Sequence, residues 1–467
     1  MKINVLLLSF LVASLFFGCD YGRDQAIDDF ASMPARESEP WVRDAVIYEV
    51  YLRSFSPEGT FAGLEQRLPE LRDLGVSVLW LMPIHPVGQE NKKGTLGSPY
   101  SIQDYFDVNP EFGTMEDFRR LLNAVHKHGM KLIIDLVANH TAWDNPLITE
   151  QKDWYVQNDR GEIVHPAGTD WWDVADLNYD NPEVWEYMKE VMRFWVEDIG
   201  IDGFRCDVSE LVPIEFWEEA REMLDAIKPA MMISEGTLPA HHIYAFDITY
   251  SWNLYHALPG IVHSEDPATA IDELLLHEAN RYPEGSLRMR FKSNHDENAW
   301  DAPAVEKWGP EGTKAVGTLV TTIPGVPLLY NGEEVGNPKR LGLFERVPIA
   351  WETGDEYRNF YTGLFSLYNE SFVFRKGEFT KIPTTEDNNI YSFIRWYDGD
   401  IKYVLINLKP DDIMFEVMGG VLLGVGDMQS GTLSKKFGHG SDVITFASED
   451  MVSLSLPGYG YAIYNVR

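Results

Sequence analysis

Four polar clusters in this chain each follow an apolar run rich in β-branched residues. Each run has the length of a buried strand, so each cluster is predicted to lie at a strand end. Three carboxylates beside an arginine and two histidines are the residue types that nucleophilic and acid–base cleavage of a sugar bond requires. In chain order, the clusters contain Asp135 with His140, Arg205 with Asp207, Glu235, and His295 with Asp296.

An alternation of strands and helices must position these clusters. Strands that alternate with helices form parallel βαβ units, and eight such units close into a (β/α)₈ barrel. The clusters then follow strands three, four, five and seven, at the barrel face that carries active sites. The sequence predicts the strands at residues 46–51, 76–82, 131–137, 203–207, 231–235, 245–248, 287–293 and 325–330.

Two further regions are predicted outside the barrel, which we assign to residues 41–140 and 182–375. Residues 141–181 are longer than a barrel loop needs and predict a short inserted domain after strand three. Residues 376–467 hold short strands and turns and predict a C-terminal antiparallel β-sandwich. The tryptophans of the insertion line a substrate cleft or, on the alternative interpretation, form the insertion's own core; they are Trp143, Trp154, Trp171 and Trp172.

Composition excludes two classes of partner. The chain has 467 residues and a formal charge of −34, which argues against binding to nucleic acid or adsorption to an anionic membrane surface. Apolar residues make up 45% and charged residues 24%, an ordinary balance for a globular protein.

The N-terminus predicts export. Lys2 precedes an apolar stretch too short to span a membrane comfortably, and the stretch ends at Gly18 and Cys19. We expect a signal peptide over residues 1–18, lipidation of Cys19 as in bacterial lipoproteins, and a polar tether over residues 19–40. An ordinary cleaved signal peptide is the alternative. Either way the protein is expected in the bacterial envelope, periplasmic or at the cell surface. The other cysteine, Cys206, is predicted to fill the core.

Taken together, the motifs closely resemble those of the α-amylase family of glycoside hydrolases, from about residue 41 to the C-terminus. The matching segments are residues 97–105, 135–140, 175–178, 203–207, 234–236, 294–296 and 324–334. The resemblance implies a retaining hydrolase that cleaves α-1,4-glucosidic bonds of maltooligosaccharides or related α-glucans through a covalent glycosyl-enzyme. In such enzymes the two reacting carboxylates stand about 5–5.5 Å apart.

The resemblance also implies a role for each residue. Asp207 would be the nucleophile, Glu235 the general acid/base and Asp296 the stabiliser of the transition state. We expect Arg205 to favour ionised Asp207, and burial with nearby carboxylates to raise the pKa of Glu235. Substrate-binding roles fall to Tyr100, His140, Arg205 and His295.

Departures from the family pattern limit what else can be carried over. Glu210 and Leu211 stand where many α-amylases have a lysine that contacts the next sugar and a histidine that serves calcium. Asn139 matches a calcium ligand of the family and is the single candidate metal ligand. We therefore expect no required cofactor, and we assign Asn139, Asp104 and Asp135 to the hydrogen-bonded framework of the site.

Two alternatives remain open from the sequence. A transglycosylase or isomerising enzyme of the same family would use the same three carboxylates. A non-catalytic α-glucan-binding protein would not need them, and all three are intact. On every reading the partner is an α-glucan or maltooligosaccharide, and contact with a membrane comes only through Cys19.

Overall fold

Eight parallel strands close into a barrel in chain order, which confirms the predicted fold class. The computed structural model describes residues 29–263, 266–424 and 429–467. Nearly all positions in these strands are buried, because helices cover the outside and side chains fill the inside, and this explains their continuous apolar runs. The strands are β1 (Ile47–Val50), β2 (Val78–Leu81), β3 (Lys131–Leu136), β4 (Gly203–Cys206), β5 (Met231–Ser234), β6 (Ile248–Tyr250), β7 (Leu287–Arg290) and β8 (Val326–Tyr330).

The outer layer consists of amphipathic helices that follow the strands. The helix Pro182–Arg193 continues as a π-helical turn over residues 194–199. Among the described residues, the 3₁₀ turn Pro239–His242 is the only helical segment between β5 and β6. The main helices are Phe61–Leu74, Met115–Lys127, Pro182–Arg193, Ile214–Ile227, Trp252–Val262, Ala270–Ala279, Pro310–Thr322 and Asp355–Glu370.

The sixth unit differs from the sequence analysis in one misplaced strand and one helix that was not predicted. The strand predicted at residues 245–248 lies at Ile248–Tyr250, because Ala245 and Phe246 are buried without being extended. The helix Trp252–Val262 was not predicted, since Pro259 inside it disguises the helical pattern.

Gly203 begins the strand that carries Arg205 and Asp207. Its φ is +144°, and a Cβ there would lie 2.0 Å from the carbonyl oxygen of Met231 on β5. Any other residue would force β4 and β5 apart, so glycine permits their close pairing beneath Asp207 and Glu235.

The insertion after β3 is built on a two-stranded antiparallel sheet, His140–Ala142 with Val174–Asp176. The C-terminal region is an antiparallel β-domain with its own apolar core. Six of its strands form one sheet and two form another. They are β9 (Glu378–Lys381), β10 (Ile390–Tyr397), β11 (Asp400–Asn407), β12 (Ile413–Met418), β13 (Ser430–Gly438), β14 (Val443–Ala447), β15 (Met451–Leu456) and β16 (Tyr461–Val466).

The predicted tether is described only over residues 29–40, and there it packs on the barrel: the backbone N–H of Ala35 donates to Glu284 O, and Arg36 forms an ion pair with Asp247 at 2.9 Å. The other N-terminal predictions fall outside the described residues. The predicted signal peptide and Cys19 precede residue 29, where the described residues begin. Within the ranges that the structure covers, no helix has the length and apolar character needed to cross a membrane. Cys206 is fully buried, as expected for a core residue.

Candidate active site

Arg205 is a buried cation on β4 that joins three carboxylates. Its Nη1 donates to Asp135 Oδ1 and to Asp207 Oδ1, each at 2.9 Å, and its Nη2 forms an ion pair with Glu235 Oε2 at 2.8 Å. Its Nε donates to the Tyr250 hydroxyl at 3.2 Å. One guanidinium therefore fixes side chains that follow or lie on β3, β4 and β5.

Asp207 has a raised pKa, although Arg205 favours its ionised form as expected. Burial is the largest cause and raises the pKa to about 6, while Arg205 opposes the rise and Asp135 adds to it. The sequence shows the neighbouring arginine but not the desolvation, and desolvation wins here. Asp207 is still largely ionised at neutral pH.

Glu235 has the higher pKa of the two. Burial raises its pKa to about 7 against the attraction of Arg205, and the charge of Asp207 raises it further. The backbone N–H of Val208 donates to Glu235 Oε2 at 2.7 Å. Val208 has φ +36°, a left-handed conformation that β-branched residues rarely adopt, so the strained turn after Asp207 aims this N–H at Glu235.

His295 is held as a cation beside Asp296. Burial alone would lower the pKa of His295, but Asp296 and Glu49 outweigh it and raise the pKa to about 9. The imidazole Nδ1 lies 2.5 Å from Glu49 Oε1, and Nε2 lies 2.7 Å from the Tyr100 hydroxyl. The Tyr100 hydroxyl donates in turn to Asp135 Oδ2 at 3.2 Å. This chain of hydrogen bonds connects His295, which follows β7, to Asp135 and so to Arg205.

These groups surround one cavity of about 180 Å³ at the carboxyl ends of the strands. Arg205 is completely buried and is not among the residues that line the cavity. Its contacts are those of a residue that positions carboxylates, and its role in substrate binding stays a prediction. The other six residues predicted to act in catalysis or substrate binding line the cavity: Tyr100, His140, Asp207, Glu235, His295 and Asp296.

His140 and Asn139 lie at the start of the insertion. Burial lowers the pKa of His140 to about 4, so this imidazole is neutral and can accept or donate a hydrogen bond to a hydroxyl.

Asn139 Nδ2 lies 3.5 Å from Asp176 Oδ1. Calcium takes six to eight oxygen ligands. Among the described residues, no group of three or more His, Cys, Asp or Glu side chains is arranged to hold a metal ion. The described contacts of Asn139 Nδ2 are to His140 Nδ1 at 3.3 Å and to Asp176 Oδ1, and its role as a metal ligand stays a prediction.

Asp104 is not part of the framework of the site, contrary to the prediction. Its side chain is exposed, and Asp104 Oδ1 accepts a hydrogen bond from the backbone N–H of Phe106 at 2.8 Å. The Asp104 side chain therefore stabilises the local turn that contains it. Asp135, by contrast, is fully buried and accepts from Trp80 Nε1 at 3.2 Å.

Glu210 ties the loop after β4 to the loop after β5. Its Oε1 accepts hydrogen bonds from the backbone N–H groups of Thr237 and Leu238, the second at 3.1 Å. This carboxylate therefore braces the segment that follows Glu235, while the adjacent Leu211 is half exposed.

The tryptophans of the insertion divide between the two interpretations. Trp171 lines the cavity beside His140, with ring centroids 5.6 Å apart. Trp143 and Trp154 are half-buried. The indole N–H of Trp143 donates to Trp172 O, and that of Trp154 donates to Glu183 Oε2. These two side chains therefore have structural roles.

Sequence reasoning missed several groups at the site. Glu49 lies within the apolar strand β1 and Trp80 within the apolar strand β2. A polar or amphipathic residue in a buried strand indicates a site residue, so the sequence did contain a signal for these two. Trp300 and Phe344 line the cavity from loops after β7 and β8, with ring centroids 5.7 Å apart. No local pattern marks these two, since the loops meet only in the fold.

The geometry agrees with what comparison with known proteins finds. The sequence model of the α-amylase catalytic domain matches residues 28–371, well over half of the chain. The chain belongs to the α-amylase family. A maltogenic α-amylase of Thermotoga neapolitana has a similar structure, with a TM-score of 0.82 and 29% identity over 91% of this chain and 99% of that one.

Two curated relatives extend well beyond their match to this chain. An α-amylase of Haloarcula japonica is 26% identical over 88% of this chain but only 62% of its own length. A trehalose synthase of Thermus thermophilus is 26% identical over 79% of this chain and 50% of its own length. The match therefore covers between half and two thirds of these relatives.

Proposed function

We propose that this protein is a retaining glycoside hydrolase that cleaves α-1,4-glucosidic bonds in maltooligosaccharides or related α-glucans. The observation that carries the proposal is the pairing of Asp207 and Glu235 on one buried guanidinium. Their pKa values of about 6 and about 7 set a state in which Asp207 is ionised while Glu235 keeps its proton. That state is the one that double displacement requires at the start.

The first step forms a glycosyl-enzyme. A carboxylate oxygen of Asp207 attacks the anomeric carbon, and the bond from that carbon to the glycosidic oxygen breaks. Glu235 gives its proton to the departing oxygen, so the leaving sugar departs as an alcohol. Asp296 holds the sugar's hydroxyls with the cationic His295 beside it, while His140 offers a neutral imidazole. Asp296 also stabilises the positive charge that develops on the ring.

The second step hydrolyses the intermediate. Ionised Glu235 takes a proton from water, the water oxygen attacks the anomeric carbon, and the ester bond to Asp207 breaks. Both carboxyl groups then return to their starting states. Because the anomeric centre is inverted twice, its configuration is retained. Chain residues and water supply every step, so we propose that no cofactor is required.

Substitution of the two carboxyl groups tests this function. We expect Asp207→Asn to abolish turnover of maltoheptaose and of an α-maltosyl fluoride. Glu235→Gln should abolish turnover of maltoheptaose but retain attack on the fluoride, since fluoride leaves without a proton. Equal activity of either variant and the unmodified protein on maltoheptaose contradicts the assignment. Binding of maltoheptaose without any turnover by the unmodified protein identifies a glucan-binding protein instead.

A transglycosylase or isomerising enzyme is the second candidate, favoured by the similarity to a trehalose synthase. The same glycosyl-enzyme would then be attacked by a sugar hydroxyl rather than by water. Product analysis separates the two functions: free maltose and glucose indicate hydrolysis, whereas trehalose or longer oligosaccharides from maltose indicate transfer.

We also propose export and lipid anchoring through Cys19, on the strength of Lys2, the apolar stretch and the Gly18–Cys19 junction. Metabolic labelling with a radioactive fatty acid tests this. The label should be incorporated into the unmodified protein and lost in Cys19→Ala. Release of soluble, unlabelled protein by both forms would indicate an ordinary signal peptide.

A further inference from the structure

The loops that follow β2 and β8 are joined to each other at one side of the cavity. The backbone N–H of Leu96 donates to the carbonyl oxygen of Phe344 at 3.0 Å. Thr95 donates to Glu345 Oε1 through its backbone N–H at 3.1 Å and through its hydroxyl at 2.8 Å. The two loops therefore form one continuous surface, although their residues lie far apart in the sequence.

A buried arginine after β1 supports this junction from below. Arg53 donates through Nη1 to the carbonyl oxygens of Gly97 at 2.6 Å and Leu343 at 2.9 Å, and through Nη2 to that of Leu96 at 3.0 Å. Its side chain is almost fully buried. Because it binds carbonyl groups of both loops at once, it resists their separation.

An ion pair continues the same surface into the insertion after β3. Lys93 Nζ lies 2.8 Å from Asp173 Oδ1 and donates to the carbonyl oxygen of Asp170 at 3.3 Å. Lys93 and Asp173 both line the cavity, and Asp173 is nearly buried. We call residues 93–97, residues 343–345 and Asp173 the loop wall.

The loop wall stands opposite the catalytic acid. Its parts follow β8, β2 and β3, and the supporting Arg53 follows β1. These four strands are consecutive around the barrel, and Glu235 follows β5. In an eight-stranded barrel β5 is diametrically across from β1. Glu235 protonates the leaving sugar, so the leaving side of the substrate lies toward β5. Exposed apolar side chains, Leu211, Leu238 and Tyr244, stand on the loops after β4 and β5.

We propose that the loop wall closes the cleft at the end that holds the glycone, so that the protein acts on α-glucan chains from their non-reducing ends. The inference rests on the proposed function. The sugar whose anomeric carbon is attacked lies on the non-reducing side of the cleaved bond, and the leaving group lies on the reducing side. A chain that continues past the wall meets joined backbone and an ion pair. A terminal sugar can place its hydroxyls against Lys93 and Asp173.

A substrate blocked at the non-reducing end tests the proposal. We compare p-nitrophenyl α-maltoheptaoside with the same compound carrying a 4,6-O-ethylidene group on its non-reducing glucose, and follow the products by chromatography. Cleavage of the blocked compound should be at least about 100-fold slower, because the added group clashes with the wall. Similar rates for both compounds overturn the inference and leave the proposed function standing. Cleavage of neither compound overturns the proposed function itself.

Variants of the wall test its part in this selectivity. Lys93→Ala combined with Glu345→Ala removes the ion pair to the insertion and the side-chain link between the two loops. The ratio of blocked to unblocked cleavage should rise about tenfold, the equivalent of about 1.4 kcal/mol. Lys92→Ala is the matched control, since Lys92 is on the same loop and, within the described part of the chain, its Nζ donates to Gln89 alone. An unchanged ratio in the double variant contradicts the role of the wall.

Discussion

Replacing Arg205 by methionine should move the entire pH profile of the enzyme toward alkaline pH. Arg205 lies within 3 Å of oxygens of Asp135, Asp207 and Glu235. A pair of unit charges about 4 Å apart at an effective dielectric constant of about 20 interacts by about 4 kcal/mol. At about 1.36 kcal/mol per pKa unit, losing that attraction raises the pKa of Asp207 by about three units, from about 6 toward about 9.

The assay is kcat/KM for maltoheptaose as a function of pH. At pH 6.5 the ionised fraction of Asp207 falls from about three quarters to below one hundredth, so activity there should fall at least about 100-fold. Some activity should return as pH rises, because the nucleophile becomes ionised again. Arg205→Lys is the matched variant. Lysine keeps the positive charge but lacks the planar guanidinium that donates to several carboxylates at once. The pH profile of Arg205→Lys should therefore lie between those of the unmodified protein and Arg205→Met.

A folding control accompanies this experiment, since removing one partner from a buried ion pair destabilises by about 3–5 kcal/mol. Circular dichroism spectra and the Tm should show that the variant is folded at the assay temperature. A folded Arg205→Met variant whose acidic limb stays near pH 6 would refute the electrostatic reasoning.

Three further predictions concern the unmodified site and its loops. Activity should be bell-shaped in pH: it is lost below about 6, where Asp207 gains a proton, and above about 7, where Glu235 loses one. An optimum above pH 9 would contradict this. Glu210→Ala should lower kcat/KM about tenfold by freeing the loop after β5, and Glu210→Gln should retain activity because its carbonyl oxygen still accepts both N–H bonds. Equal losses in both variants would exclude this bracing role. Treatment with EDTA should leave both activity and Tm unchanged, and restoration of lost activity by added calcium would contradict the absence of a required cofactor.

The barrel and its carboxylates could be predicted because local signals encode them. Each catalytic side chain follows a short segment that is buried in the structure, so chain order alone placed Asp207, Glu235 and Asp296 at one face. The sixth strand was misplaced by two to three residues. Burial and extension coincide elsewhere in the barrel but separate at Phe246, which is buried in a turn.

The electrostatics and the outer boundary of the cleft could not be predicted in the same way. Arg205 next to Asp207 correctly predicted a contribution that favours the ionised carboxylate. The pKa of Asp207 also depends on desolvation by the whole barrel and on Asp135, which is seventy residues from Arg205 in the sequence. The link between Thr95 and Glu345 joins residues 250 positions apart. Neither the raised pKa of Asp207 nor the link between Thr95 and Glu345 has a periodic or local sequence pattern. Both depend on residues that meet only in the folded chain.

Trapping the glycosyl-enzyme tests the central claim most directly. A 5-fluoro-α-glucosyl fluoride reacts at the nucleophile, and its second fluorine slows the hydrolysis that follows because it destabilises the positively charged transition state. The labelled protein is digested and its peptides are sequenced by mass spectrometry. We expect one sugar attached to Asp207 and none in Asp207→Asn. A label on any other residue, or inactivation without a covalent adduct, would contradict the assignment of Asp207 as the nucleophile.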